Sequence, residues 1–425
     1  MYLKIKHWLF NNGSVNQTIA KNTFWLFFGQ MTSRVLRAAI VIYAARVLGA
    51  AGWGAFSYAL GVAAFLTVFS DIGINALLTK EGSRSPELRS QYLATAFFIK
   101  LAMLTVLTTL IIALFPYLTK IPEAAAIMPI LIFVFAFDAL RELGSAVSRA
   151  MEKMEIEAGI QVFANFVIVV LGFIFLTLNP SSLSLSFAYA IGSGLGLVAI
   201  LIALRTHFQN LFSNFKKSLI WPIFRTAWPF GLMGIMGAVM LNTDIIMLGW
   251  LRTAEEVGYY SAAQKPIQLL YVIPTLLATS IFPIIARLVK TDPESAKKLL
   301  VKYVWLAIIL SVPITVLGFI LAKPIILTLF GAEYSVGILT FQILLLTLPI
   351  VYPATILGNA IFAYDGQKFL ALFAVTAILG NVLFNFLLIP IFGIEGAAIA
   401  TILTQLITNF LIWQRIKSIN GMSIL

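Results

Sequence analysis

Cysteine is absent from the 425 residues, and histidine occurs only twice, at His7 and His207. Disulfides, thiol catalysis and thiolate metal sites are thereby excluded, and so is a histidine-based metal cluster. Charge is scarce too. Only 11% of residues are charged against 60% hydrophobic, and the mean hydropathy is +0.98. Soluble domains carry roughly 25% charged residues, so the composition defines a polytopic membrane protein. The formal net charge is +12; in a membrane protein such an excess raises the question of which side the cations occupy and does not point to nucleic acid. The first apolar run starts near Lys21 and is too long for the h-region of a cleavable signal.

What is present is a succession of apolar runs. About 20 apolar residues span a bilayer. That rule predicts twelve spans, at 22–46, 54–79, 91–116, 124–149, 157–178, 184–205, 226–250, 257–287, 300–321, 335–362, 368–390 and 395–414. The expected fold class is therefore all-α integral membrane. No soluble domain fits between the spans, and the longest basic linker, "RTHFQNLFSNFKKSLIWPIFR", divides the chain into halves. The expected organisation is an N-terminal segment 1–21, a six-helix bundle 22–206, a linker 207–225, a second six-helix bundle 226–416 and a tail 417–425. With the N-terminus placed in the cytoplasm, 20 of the 29 Lys and Arg residues fall on the cytoplasmic side. Four (Arg46, Lys120, Arg252 and Lys323) fall opposite, and five (Arg34, Arg37, Lys100, Arg141 and Lys265) lie inside spans. The positive-inside rule then puts both termini in the cytoplasm.

The halves repeat. "LGAAGWGAFSYA" enters the second span and "LRTAEEVGYYSAA" the eighth, with Gly54 and Ser57 matching Gly258 and Ser261. Both spans leave into a basic loop bearing Pro-Glu. Six spans per half give the halves one orientation, related by a pseudo-twofold axis along the membrane normal, as in many transporters whose substrate site lies between repeats.

These stretches resemble the polysaccharide flippase family (Wzx-type), of the superfamily that also holds the multidrug and toxic compound extruders and the lipid II flippases. The resemblance is carried by "ARVLGAAGWGAFSYA" and "SDIGINALLTKEGSR" in the first half, and by "DIIMLGWLRTAEEVGYYSAAQK", "LFGAEYSVG" and "GNVLFNFLLIPIFGIEGAAIATIL" in the second. It covers essentially the whole chain. It implies two six-helix bundles meeting as a V around a commonly cationic cavity that spans one, two, seven and eight largely line. It also implies alternating-access transfer of an oligosaccharide on a polyprenyl (pyro)phosphate carrier.

The first span, "FFGQMTSRVLRAAIVIYAAR", carries the sharpest site expectation. Thr23, Phe27, Gln30, Arg34 and Arg37 recur at steps of four, three, four and three, one helical stripe. Arg34 lies about 20 Å along the axis from Lys21 at 1.5 Å per residue, too deep to snorkel easily. Either these arginines pair inside their own bundle, or they line a wet cavity, where an arginine pair offers forked donors to phosphate oxygens. The eighth span carries a second stripe, Ser261, Gln264, Gln268, Tyr271 and Thr275, with Lys265 beside it and Pro266 following. Lys265 either faces the cavity or anchors at the outer interface. The expected substrate-binding set is Gln30, Arg34, Arg37, Gln264, Lys265, Gln268 and Tyr271.

Four acids are candidates for coupling to an ion, H+ or Na+. Asp138, Arg141 and Glu142 share a face of the fourth span and form either an internal ion-pair cluster or a protonatable site. Asp71 in the second span either lines the cytoplasmic vestibule, pairs with an arginine or binds a coupling cation. Asp244, beside Asn242, either pairs, caps or couples. Asn359, Asn381 and Asn385 read as cross-links within the second bundle. No cofactor beyond such an ion is expected.

The reading is a monomeric inner-membrane flippase, not an enzyme. Its expected partners are a polyprenyl-linked oligosaccharide and the lipid bilayer, with a polymerase and glycosyltransferases acting on the same glycan, and no nucleic acid. The rival on the same fold is a cation-coupled exporter of small molecules. That rival expects a cavity rich in carboxylates, with Asp71 and Glu142 unpaired.

Overall fold

Ser14 starts the first helix: its Oγ accepts from the Gln17 amide at 3.4 Å. The computed structural model describes residues 13–364 and 366–420. His7, the first twelve residues and the last five of the tail lie outside the described residues. The helices are α1 Val15–Asp71, α2 Ile74–Arg84, α3 Arg89–Leu118, α4 Pro122–Ala150, α5 Met154–Leu178, α6 Ser182–Ala203, α7 Arg205–Phe208, α8 Leu211–Asn214, α9 Ile220–Leu251, α10 Ala254–Leu270, α11 Val272–Thr291, α12 Pro293–Ile320, α13 Ala322–Phe330, α14 Gly337–Leu345, α15 Leu348–Ala363 and α16 Gln367–Asn420. Eight helical runs among the described residues are long and apolar enough to cross a membrane, or nine when the pair joined by a 43° bend, Ala332–Leu345 with Leu348–Ala363, counts as one span. Two of these runs are long enough for two crossings each. α1 breaks at Gly49 and α16 at Gly393, both with positive φ. The arrangement is consistent with twelve spans.

The chain divides into two compact units, one of residues 1–48 and 59–238, the other of 49–58 and 239–425. In the first unit, α6 packs along both α4 and α5, and α2 and α3 pack against α4. Its core joins Leu77 and Leu78 of α2, Leu93 and Ala96 of α3, Leu143 and Val147 of α4, Ile200 of α6 and Ile223 of α9. In the second unit, α15 packs against α11, α12 and α16, and α14 against α10 and α16. Thr253 and Glu256 cap the start of α10 reciprocally, which satisfies two of its unpaired amides. Segment 49–58 crosses α10 so closely that a methyl on Gly54 would overlap the Ala254 carbonyl, and one on Gly258 the Ala50 carbonyl. The matched glycines of the sequence repeat therefore meet each other's helices, as small residues do at tight crossings in membranes.

The second span differs from the continuous run 54–79. It stops at Asp71, turns through Ile72 (φ 39) and Gly73 (φ 81), and resumes at Ile74. A positive φ is a genuine outlier for a β-branched residue, and nothing in an apolar run announces it. The eighth span is likewise divided, at Tyr271, between α10 and α11.

Candidate functional site

In the first unit the site is built on α1. Gly29 lets α1 approach Ala158 of α5, and Ser33 and Ile40 are buried on that side. Their burial turns Thr23, Gln30, Arg34 and Arg37 outward, and all four are exposed. The outward surface has two halves at helical spacing. Phe24, Phe28 and Val35 form an apolar half; Thr23, Phe27, Gln30, Arg34 and Arg37 form the other. Arg37 Nε donates to Asn165 Oδ1 of α5 at 2.7 Å. Asn165 is itself held by its donation to the Gln161 carbonyl at 2.7 Å, and Tyr189 of α6 lies within electrostatic reach of Arg37. Arg34 has no hydrogen-bond or ion-pair partner among the described residues. Neither arginine is paired with a carboxylate there, so both guanidinium groups keep donors for an anion.

The carboxylates of this unit are arranged differently. Asp71 accepts from Lys100 Nζ at 2.9 Å, and Lys100 also donates to Asn75 Oδ1 at 3.0 Å. The Asp71 carboxylate further accepts from the Asn75 amide at 3.3 Å, capping α2 across the break. Asp138 pairs with Arg141 at 2.9 Å, and Arg141 is buried against Gly196 of α6. Glu142 does not join that pair. It bonds Arg149, two turns on along α4, at 3.0 Å, and Arg149 forks onto both oxygens of Glu157 in α5 at 2.8 and 2.7 Å. The fourth span thus carries two separate ion pairs, because Glu142 points one turn further along the helix than Asp138. Lys21 is buried as well, against Glu155 at 3.0 Å and the Glu152 carbonyl at 3.2 Å.

In the second unit the polar stripe of the eighth span does not form one open face. Ser261 is buried and donates to Ser57 Oγ at 3.0 Å. Tyr271 meets Thr347 Oγ1 at 2.6 Å, and Thr275 returns its hydroxyl to the Tyr271 carbonyl at 2.9 Å. Gln264, Lys265 and Gln268 are half-buried between these ends. The Oε1 of Gln264 is buried and has no hydrogen-bond partner among the described residues.

Asp244 of α9 is the most heavily bonded acid. It is 5% exposed. Its Oδ1 accepts from Asn381 at 3.1 Å and Asn385 at 2.7 Å. Its Oδ2 accepts from Tyr260 at 2.5 Å and Thr401 at 2.7 Å. All four donors are neutral, whereas each of the other three candidate acids has a cationic partner. Asn385 also donates to Asn381 Oδ1 at 3.0 Å, while its own Oδ1 is buried without a hydrogen-bond partner among the described residues. Both oxygens of the Asp244 carboxylate are thus engaged, one by two amide nitrogens and the other by two hydroxyls.

Asn165, Tyr260 and Thr401 were not anticipated as partners of the site, and Lys100 was placed inside a span without a role. Each lies on a different helix from the residue it serves, and single-helix periodicity carries no signal for such pairs. An isolated lysine within an apolar run is itself a pointer, since an intramembrane cation needs a partner.

Arg34 and Arg37 thus stand on one exposed face of a helix in an all-helical membrane fold, without a carboxylate partner among the described residues. The family model described as polysaccharide biosynthesis protein matches residues 19–289, and the chain belongs to that family. The MatE model also matches, over residues 229–391. The chain is 22% identical to the capsular polysaccharide biosynthesis protein CapF of Staphylococcus aureus over 94% of its own length and 100% of that protein. It is 31% identical to the probable flippase AglR of Haloferax volcanii over 172 residues, 40% of this chain and 36% of that protein. In structure it superposes on the lipid II flippase MurJ, in an inward closed conformation, with a TM-score of 0.71, covering 92% of this chain and 87% of that one at 17% identity.

Proposed function

We propose that this protein moves an oligosaccharide carried on a polyprenyl (pyro)phosphate across the cytoplasmic membrane by alternating access, for assembly of a cell-surface polysaccharide. The observation that carries the reading is the open face of α1. There Arg34 has no partner among the described residues, and Arg37 bonds only to the neutral Asn165 in what the structure records. A (pyro)phosphate entering a low-dielectric layer must exchange water for strong donors, and forked guanidinium donors meet that need. Gln30 and Thr23 beside them suit sugar hydroxyls. The relatives' names, flippase and capsular polysaccharide biosynthesis protein, agree with this substrate class. The drug-export alternative fits less well: Asp71 and Glu142, the acids it needs unpaired, are held by Lys100 and Arg149.

Asp244 is the favoured coupling acid in this reading, with H+ or Na+ as the ion, because among the described residues it alone of the four lacks a cationic partner. Asp71, Asp138 and Glu142 then serve structure. The chain works as a monomer beside the glycosyltransferases and polymerase that build and extend its glycan.

Reconstituted into vesicles with a fluorescent lipid-linked oligosaccharide in one leaflet, the protein should bring the label to the opposite leaflet. A lectin added outside reads the transfer. Vesicles that expel a cationic dye but leave the glycolipid in place would transfer the assignment to the exporter reading. The charge asymmetry supports cytoplasmic placement of both termini. Reporter fusions after Gly13 and Asn420 should both give cytoplasmic signal, and periplasmic signal at either end would overturn that orientation.

A further inference from the structure

No Asp or Glu stands between Glu157 and Asp244, and the connection between the sixth and seventh spans lies in the middle of that stretch. It is not a loose loop. The Lys216 amide donates to Thr95 Oγ1 of α3 at 3.1 Å. Phe212 and Phe215 both pack on Phe98, at ring distances of 5.1 and 5.5 Å, and Phe208 packs on Phe97 at 6.5 Å. One side of the connection is therefore fastened to α3. The other side is open: Phe212 is 86% exposed and Trp221 72% exposed. Arg205, Lys216, Lys217 and Arg225 are exposed alongside them. Arg89 and Lys153 add to the same surface. Together with burial, their charges push the His207 imidazole below its ordinary range, and no carboxylate is among the causes.

Exposed large aromatics interleaved with cations, next to the end of a membrane span, match one environment. That environment is the headgroup layer, where aromatic rings sit at the interface and basic clusters meet anionic lipid phosphates. We infer that segment 205–225 is a fixed docking surface for acidic phospholipid headgroups of the leaflet beside it, with Phe212 and Trp221 entering the interface and Lys216, Lys217 and Arg225 holding the phosphates. General charge asymmetry would spread such contacts over every basic loop. Here the backbone is pinned, so the cations are presented at fixed positions, and the acids that could neutralise them are missing from the segment.

The test uses the full chain in bilayer nanodiscs of equal parts phosphatidylcholine and phosphatidylglycerol, with the retained lipids counted by native mass spectrometry. The unmodified chain should retain phosphatidylglycerol in preference to phosphatidylcholine. Replacing Lys216, Lys217 and Arg225 together with alanine should lower the affinity for phosphatidylglycerol by about fivefold for each basic side chain removed, leaving phosphatidylcholine unchanged. Lys297→Ala with Lys298→Ala, on α12, should have no such effect. Equal retention of the two lipids by the unmodified chain overturns the inference without reference to any variant. Unchanged phosphatidylglycerol in the linker variant, or an equal loss in the α12 variant, overturns it as well.

Discussion

Arg34→Ala should lower glycan export about 10- to 100-fold, the equivalent of about 1.5–3 kcal/mol for a hydrogen bond to a charged group. Membrane insertion and protein yield should stay near normal. The structure explains why these readouts separate. Arg34 makes no hydrogen bond or ion pair among the described residues, so its removal leaves no buried group stranded. Arg37→Ala should cost export similarly but also free the buried Oδ1 of Asn165, so some loss of thermal stability should accompany it. Lysine at either position should restore export only in part, because it keeps the charge and loses the fork. Arg34→Glu should be worse than Arg34→Ala, since it places a negative charge against the same phosphate. The measurement is complementation of a strain lacking its glycan flippase, with protein level quantified in parallel. Normal export by the alanine variants would remove these arginines from the site.

The second large effect falls on Asp244. Asp244→Ala should destabilise the protein strongly, because Tyr260, Asn381, Asn385 and Thr401 lose their shared acceptor. Each buried donor left without an acceptor costs about 1–3 kcal/mol. Asp244→Asn keeps the shape and one acceptor oxygen, so more folded protein should survive, but the charge is gone. If Asp244 takes up Na+ as the coupling ion, unfolding of the unmodified protein should shift upward with Na+, since a ligand that binds only the folded state stabilises it. The Asp244→Asn protein should show no such shift. Thermal unfolding in Na+ against choline reads this directly. An Asp244→Asn protein that responds like the unmodified one would return Asp244 to a purely structural role.

How much of this was legible depended on whether the information was local. The all-helical, many-span character of the fold was legible because length and hydropathy decide it, but the breaks within spans were not. The shared face of Gln30, Arg34 and Arg37 was legible because helical spacing alone puts them together, whereas their common exposure comes from the burial of Gly29, Ser33 and Ile40 elsewhere on the helix. The Gly54 and Gly258 match was visible as a repeat, although their meeting at one crossing was not. Partnerships across helices were not legible: Asp71 finds Lys100 29 positions away, and Asp244 finds Asn385 141 positions away. The eighth-span stripe looked uniform because spacing cannot tell a hydroxyl that meets a neighbour, as Ser261 and Tyr271 do, from one that faces a cavity. The turn at Ile72 was hidden for another reason. Isoleucine in an apolar run is a signal for continuity, and here tertiary packing overrides it, with Gly231 of α9 pressed against the Ile72 backbone.

The Lys100 to Asp71 pair also bears on how the chain enters the bilayer. A lysine near the centre of a lone helix costs about 2.5–3.5 kcal/mol on insertion scales, and α3 by itself would carry that cost in full. Its partner precedes it in synthesis, and residues 85–88 alone separate α2 from α3. The second and third spans can therefore leave the insertion machinery as a hairpin with the charge already matched. Biogenesis, and not only the finished structure, then has a use for the pairing of Asp71 with Lys100, because two neighbouring spans match a buried charge between themselves.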